Sequence, residues 1–496
     1  MIDASRSTCL KGDSEKMKKE KSDSQKVSVL EQFGYFCGDF GGSLVNLYVS
    51  AFFLTFCTYV LGIDPKWMAG LILAAKIWDA INDPLIGSLP DHFHIGKTPD
   101  KFKPWVKLFM VPLAVSGLLC FTDVSSFPSL LKHTWVAVSY ILYGMSYTGT
   151  SMPYGAMASV ITTDPVERTK LSRARSFGGM GVGMLFLPAV SLAIWDANNN
   201  PNAGGYFLMA VIAGIGSIVF YTMLIIFSKE RVRQPLKYSV KADGTKAKAK
   251  FNFFKVVKEA FTNRPLVGVM IASIGSMFFS AQSVNSYLYR EYYHQPKAMA
   301  ASSYISLPMM FLAFWLVPRL SKKLGKRTLI LIGAVLSLIG YGILLAFPIA
   351  NPYVFMFANT VAGFGGTIFI MLVWALVTDA IDYQEYKNGE RSDGTLYSVY
   401  TFSRKIGSAI VNAVISWAIG AIGFVQGAKV QPESFGPNVR ILMLTMPMVG
   451  ALITLLGIGL IYNLNQKKTQ EVHDTLEARR KAAQAADGLN TGDEVQ

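Results

Sequence analysis

The sequence predicts an all-α membrane protein of twelve transmembrane helices in two six-helix halves, with the N and C termini cytoplasmic. Three observations carry that prediction. The first is composition. Of 496 residues, 16% are charged and 51% hydrophobic, with a mean hydropathy of +0.34; a soluble domain carries roughly 25% charged residues. The second is length: a spanning helix needs about 20 apolar residues, so twelve with short loops use about 40 residues each. The third is distribution. Apolar stretches alternate with short polar loops from Phe33 onward, and lysine and arginine favour alternate loops. The same composition excludes other classes. Four cysteines, Cys9, Cys37, Cys57 and Cys120, lie too far apart for a disulfide scaffold. The aromatic and aliphatic content excludes a disordered chain.

Taken in order, residues 1–30 are polar and of mixed charge, with no apolar core after the first lysines. They read as a cytoplasmic tail rather than a cleaved signal. The spans fall at 33–61, 67–88, 105–122, 134–161, 172–195, 205–228, 265–289, 301–320, 328–348, 353–381, 396–424 and 440–463. In lipid each must satisfy its own backbone, so each is a helix. Residues 31–228 form an N-terminal bundle, 229–264 a basic cytoplasmic linker, 265–464 a C-terminal bundle and 465–496 a cytoplasmic tail. In that tail Val472, Leu476 and Ala483 stand among charges, which fits either a surface helix or a solvated chain.

Orientation follows from basic residues. Lys97, Lys101 and Lys103 lie between the second and third spans. Arg168, Lys170, Arg173 and Arg175 lie in the loop after the fourth, and Lys322, Lys323, Lys326 and Arg327 after the eighth. The loop 196–204 has no lysine or arginine, and 424–439 has only Lys429. The net charge of +15 is therefore a topology signal in the cytoplasmic membrane, not a nucleic-acid surface. Reduced cysteines follow from the same placement. The loops after the second and eighth spans are both short, basic and glycine-containing. Six plus six helices around a central linker is the major-facilitator architecture; two tight loops in any polytopic protein is the plainer alternative.

Charges inside spans are the informative exceptions, because each costs roughly 2.5–3.5 kcal/mol at the bilayer centre. The first span carries Asp39, the second Lys76, Asp79 and Asp83, and the eleventh Arg404 and Lys405. Asp79 and Asp83 share one helix face, about 6 Å apart along the axis. Such a pair repels itself, and a bound cation or proton relieves the repulsion. Oxygen ligands suit a hard ion. Alternatively, Lys76 simply pairs with Asp79. In the fourth span Ser146-Tyr147-Thr148-Gly149-Thr150-Ser151-Met152-Pro153-Tyr154-Gly155 suits either a cavity wall or close packing through small residues. Gly178-Gly179-Met180-Gly181-Val182-Gly183 lies inside a span and follows no strand, so it reads as packing rather than a nucleotide loop. Gly363, Gly365 and Gly366 read similarly, with a hinge as the functional option. No catalytic or nucleotide-hydrolysis motif occurs in the chain, so the chain is not read as an enzyme.

Lys76-Ile77-Trp78-Asp79-Ala80-Ile81-Asn82-Asp83-Pro84 closely resembles the second-helix signature of the glycoside–pentoside–hexuronide:cation symporters. Phe33 to Phe40, Lys101 to Trp105 and Asp379 to Lys387 resemble three further segments of that family. The resemblance implies a cation site at Asp79, Asp83 and Thr148, taking Na+ or H+ as coupling ion without other cofactors. It implies a coupling role for Lys405. It implies a sugar site including Asp39 and Tyr147. Melibiose-transporting members carry a second sugar-binding aspartate where this chain has Ser151, and a tryptophan where it has Gly155. A hydroxyl in place of that carboxylate makes an anionic solute such as a hexuronide more acceptable. The implied function is symport of a glycoside, pentoside or hexuronide by alternating access, with the sugar, the cation and membrane lipid as partners. A carrier of lysolipid or another amphiphile is the alternative within the fold, and a non-transporting sensor the alternative outside it.

Overall fold

The computed structural model describes residues 26–93, 95, 100–162, 164–231, 239–240, 246–247, 261–280, 282–388, 393–428 and 430–490. Expectations for residues 1–25, for Lys97 and Lys429, and for most of the basic linker fall outside the described residues. The described chain is dominated by helices; its named strands are two short antiparallel partners, Ser239–Val240 and Lys246–Ala247. Two compact units emerge, residues 1–62 with 81–249 and residues 63–80 with 250–496.

The first unit begins with α1, Val29–Thr55. Ser28 and Glu31 form a capping box at its start, each side chain accepting from the other's backbone N–H and so satisfying two otherwise orphaned donors. The helix continues through a π turn at Phe56–Val60. Helix α2 (Pro65–His92) contributes residues to both units. There follow α3 (Lys103–Cys120), α4 (Ser129–Ile161), α5 (Pro165–Gly181) with a π turn at Val182–Phe186, α6 (Leu187–Ala193) and α7 (Ala203–Phe227). Helix α1 packs on α5 and α7, and α3 on α4 and α7. The Glu230 carboxylate accepts N–H bonds from Lys101, Phe102 and Lys103 at 2.6, 3.0 and 2.9 Å, capping α3.

One sequence expectation needs correction here. Arg168, Lys170, Arg173 and Arg175 are not loop residues; all four lie within α5. Hydropathy averaging places the start of this span at 172 because Arg168 and Lys170 depress its first turns. The helix nonetheless begins at Pro165, a residue whose fixed φ suits a first helical position.

The second unit holds α8 (Arg264–Met277), a 3₁₀ turn at Phe278–Ser280 and α9 (Gln282–Tyr287), which ends in a π turn. Next come α10 (Ser302–Ile305), α11 (Leu307–Leu324), α12 (Lys326–Ala346), α13 (Pro352–Ala362), α14 (Phe364–Asn388), α15 (Asp393–Ala421) and α16 (Phe435–Leu455). The break between α13 and α14 falls at Gly363, the glycine read as a possible hinge. Leu266, Val269, Ile330, Leu376, Val377 and Tyr400 belong to the core of this unit. The C-terminal tail is helical: α17 spans Gln466–Asn490, and it buries Val472 and Leu476 while packing on α14.

Eight helices are long and apolar enough to cross a membrane, among the described residues. The predicted spans that fall short, at α2, α4, α8–α9 and α15, are helical all the same; polar side chains or a break lower their apolar run. Exposed faces fit lipid. On α7 Leu208, Ile212, Ile215 and Val219 are all exposed, the i, i+4, i+7, i+11 stripe of a single helix face. On α2 the pattern is turned inside out: Ile77, Trp78, Ile81 and Leu85 are exposed while Asn82 and Asp83 are buried. Water on the outside would penalise that arrangement, and hydrocarbon favours it. Cys37, Cys57 and Cys120 are free buried thiols.

Candidate functional site

Asp39 lies midway along α1 and meets α5. Its Oδ1 accepts a hydrogen bond from Arg175 Nε at 3.1 Å, and the side chains are 20% and 45% exposed respectively. Asp39 thus has a cationic partner in Arg175. Gly178 permits the approach. A Cβ there would stand 2.7 Å from Phe36 O and 2.8 Å from Asp39 Cβ, so the glycine run does pack closely, and it does so at a charged side chain. The guanidinium also stacks 5.1 Å over the Tyr154 ring. Tyr154 donates to Tyr35 O at 2.7 Å and Tyr35 donates to Tyr154 O at 3.2 Å, which fixes the ring that carries Arg175.

Beyond Asp39, α1 presents Ser43, Asn46 and Ser50, spaced i+4, i+7 and i+11 on one face. Asn46 Oδ1 accepts from Tyr143 Oη at 2.7 Å. Tyr143 stacks on Tyr147 at 6.2 Å and meets Tyr140 at 6.0 Å with the rings tilted. A polar stripe on α1 thus runs beside a tyrosine ladder on α4. Hydroxyl-bonding groups next to flat aromatic faces are what a sugar ring engages. Tyr147, the aromatic that the resemblance assigns to the sugar site, stands in that ladder. Ser151, one turn further along α4, is half-buried and makes no hydrogen bond among the described residues. Sequence reasoning missed Arg175, Ser43 and Asn46. The spacing 39–43–46–50 carried the signal for the last two.

The other predicted constellation centres on α2. Asp83 is buried and its Oδ1 accepts from Thr148 Oγ1 at 2.7 Å, so the hydroxyl and carboxylate predicted to share a site are in contact. Asp79, one turn earlier on α2, pairs with Lys76 Nζ at 3.1 Å; the alternative pairing considered from sequence is present. Asn82, between the two acids, is buried with its Nδ2 unsatisfied. Lys405 on α15 is half-buried and interacts electrostatically with Asp79 and Lys76. The hydroxyl-rich run of α4 makes both polar and close-packed contacts. Thr148 meets a carboxylate, and Gly149 packs against Phe109.

Ionisable side chains turned inward, in a protein whose outward faces are apolar, mark functional sites within a membrane protein. The chain belongs to the MFS/sugar transport protein family, whose model matches residues 34–466, and within it to the glycoside–pentoside–hexuronide type that the α2 signature resembles. It is 30% identical to the "uncharacterized symporter YjmB" of Bacillus subtilis (strain 168) over 91% of this chain and 96% of that one. It is likewise 30% identical to the isoprimeverose transporter of Lactiplantibacillus pentosus, over 80% and 81%. The fold matches the crystal structure of a D-xylose–proton symporter with a TM-score of 0.56, at 15% identity, over 86% of this chain and 96% of that one. The protein is a multi-pass sugar transporter of the plasma membrane.

Proposed function

We propose that this transporter imports an acidic sugar, of the hexuronide class, together with Na+ or H+. The observation that carries this reading is the Asp39–Arg175 pair. Arg175 presents five N–H donors; one is given to Asp39, and the 45% exposure of its side chain leaves others open to a solute. A carboxylate on the sugar takes those donors bidentately, and the sugar hydroxyls donate to Asp39. Ser151 stands where a second carboxylate would repel such a solute. The cation takes Asp79, Asp83 and Thr148, and Lys405 senses its arrival through Asp79. Each ligand then raises affinity for the other.

Uptake into sealed right-side-out vesicles tests the proposal, comparing a β-glucuronide with isoprimeverose, with and without an imposed sodium or proton gradient. Gradient-driven accumulation of the glucuronide in preference to isoprimeverose supports it. Preference for the neutral disaccharide removes the acidic-sugar assignment, and gradient-independent equilibration removes the coupling.

A further inference from the structure

A cavity of about 310 Å³ opens at the end of the second unit where α11, α12 and α17 meet. It lies outside the solute and cation sites, and all its walls belong to one unit. Lys322, Lys326 and Arg327 line it together with His473, Tyr462 and Asp379. Three permanent cations thus face one carboxylate. Asp379 is already matched, by Lys326 Nζ at 2.5 Å. Arg327 is held in place by the carbonyls of Ile458 and Gly459 at 3.1 and 2.7 Å. Lys322 has no ion-pair or hydrogen-bond partner for its ammonium among the described residues.

Two further features point to a ligand. Tyr462 is 1% exposed and lines the cavity, yet among the described residues its hydroxyl has no hydrogen-bond partner. The hydroxyl is therefore open to bond a cavity occupant. In addition, α12 starts beside the cavity with Gly325 as its N-cap, at φ 82° and without a side-chain cap. Its first-turn N–H groups therefore remain available, at the positive end of the helix dipole. Helix α17 also begins here, at Gln466.

We propose that this cavity binds a phosphate-bearing anion. Donors converge from several directions, as the oxygens of a phosphate require, and the volume admits a phosphomonoester with a small organic group. The basic loops assign this end to the cytoplasm, where such an anion reaches it either as the headgroup of an acidic lipid or as a free phosphate. Because Lys322 and Arg327 lie on one wall and His473 on α17, the anion fastens α17 onto the α11–α12 turn.

The test uses the purified full chain, with inorganic phosphate in detergent and, separately, phosphatidic acid against phosphatidylcholine in nanodiscs. Binding is read by calorimetry and by hydrogen exchange over residues 466–490. Saturable binding with slowed exchange in α17 is expected. Lys322→Gln should weaken it about tenfold, as loss of one charge-assisted bond implies, and Tyr462→Phe several-fold. Sugar binding by Lys322→Gln protein serves as the folding control and should be unchanged. Protection by inorganic phosphate identifies a free anion, and protection by phosphatidic acid alone identifies a headgroup; either supports the site. Absence of protection with both probes, or binding unaffected by both substitutions, overturns it.

Discussion

Asp39 and Asp83 are both inward carboxylates in spans of the first unit, yet their partners differ in kind. Asp39 meets a guanidinium across α1 and α5; Asp83 meets the neutral hydroxyl of Thr148 across α2 and α4. A guanidinium competes with any metal cation for the carboxylate, whereas a hydroxyl adds a second oxygen ligand beside it. Identical side chains are thereby suited to different ligands. Asp39 with Arg175 forms a zwitterionic pair, which under the proposed function meets a solute bearing hydroxyls and an acid. Asp83 with Thr148 forms a carboxylate–hydroxyl pair, which under the proposed function ligates the ion.

The sharpest way to break this comparison is to neutralise the α2 acids. Asp83→Asn or Asp79→Asn keeps the shape and removes one anionic ligand. Gradient-driven accumulation in vesicles should fall to the equilibration level in both, while equilibrium solute binding persists. Concentrative uptake at the unsubstituted rate in both variants would return Asp79 to a plain ion pair with Lys76.

Next in size are the two halves of the solute pair. Arg175→Gln should lower affinity for a glucuronide about hundredfold and for a neutral glycoside far less, since only the acid uses the bidentate fork. Asp39→Asn should lower affinity for both about ten- to a hundredfold, the loss of a charge-assisted bond worth roughly 1.5–3 kcal/mol. Cation binding should survive each. Measuring affinity alongside the amount of folded protein in the membrane separates solute contact from stability. Equal losses for acidic and neutral solutes in Arg175→Gln would reduce Arg175 to a holder of Asp39.

Much of this was legible in the sequence, and the limits have physical causes. Spans are set by hydropathy over about 20 residues, so helices occupy each predicted stretch. Asp39, Asp79, Asp83 and Lys405 stand out because a charge in a span needs a reason. Arg175 was hidden because arginines near a span end also serve as topology signals; only the close packing at Gly178 shows that α5 turns this one toward α1. Ser43 and Asn46 were hidden because small polar residues are common within membrane helices. The tail was open between helix and solvated chain because Val472 and Leu476 are too few to fix a helix alone. Their partner surface, which includes Tyr386 hydrogen-bonded to Glu471 at 3.4 Å and to Arg479 at 3.2 Å, lies about a hundred residues away in sequence and is brought together by the fold.

A smaller effect sharpens the ion half of the comparison. Thr148→Ala removes the neutral ligand and leaves both carboxylates. Sodium needs several oxygens, whereas a proton needs only a carboxylate. Sodium stimulation of uptake should therefore weaken about tenfold and proton-driven uptake by a lesser factor. Equal weakening with both ions would make Thr148 a packing residue.

The smallest expected effect concerns the stripe on α1. Tyr143 donates to Asn46 at 2.7 Å, which orients the Asn46 amide and steadies the ring that stacks on Tyr147. Tyr143→Phe keeps the aromatic face and deletes the bond, whose net worth is about 1 kcal/mol. If the solute lies along Ser43 and Asn46, the loosened amide should cost about fivefold in affinity for a glycoside. The cost should be less for the free sugar, which reaches only the Asp39 end. Cation affinity should not change, because the deleted bond goes to Asn46 on α1 rather than to an α2 acid. Equal affinity losses for the glycoside and the free sugar would confine the solute to the Asp39–Arg175 end and leave Tyr143 a structural strut between α4 and α1.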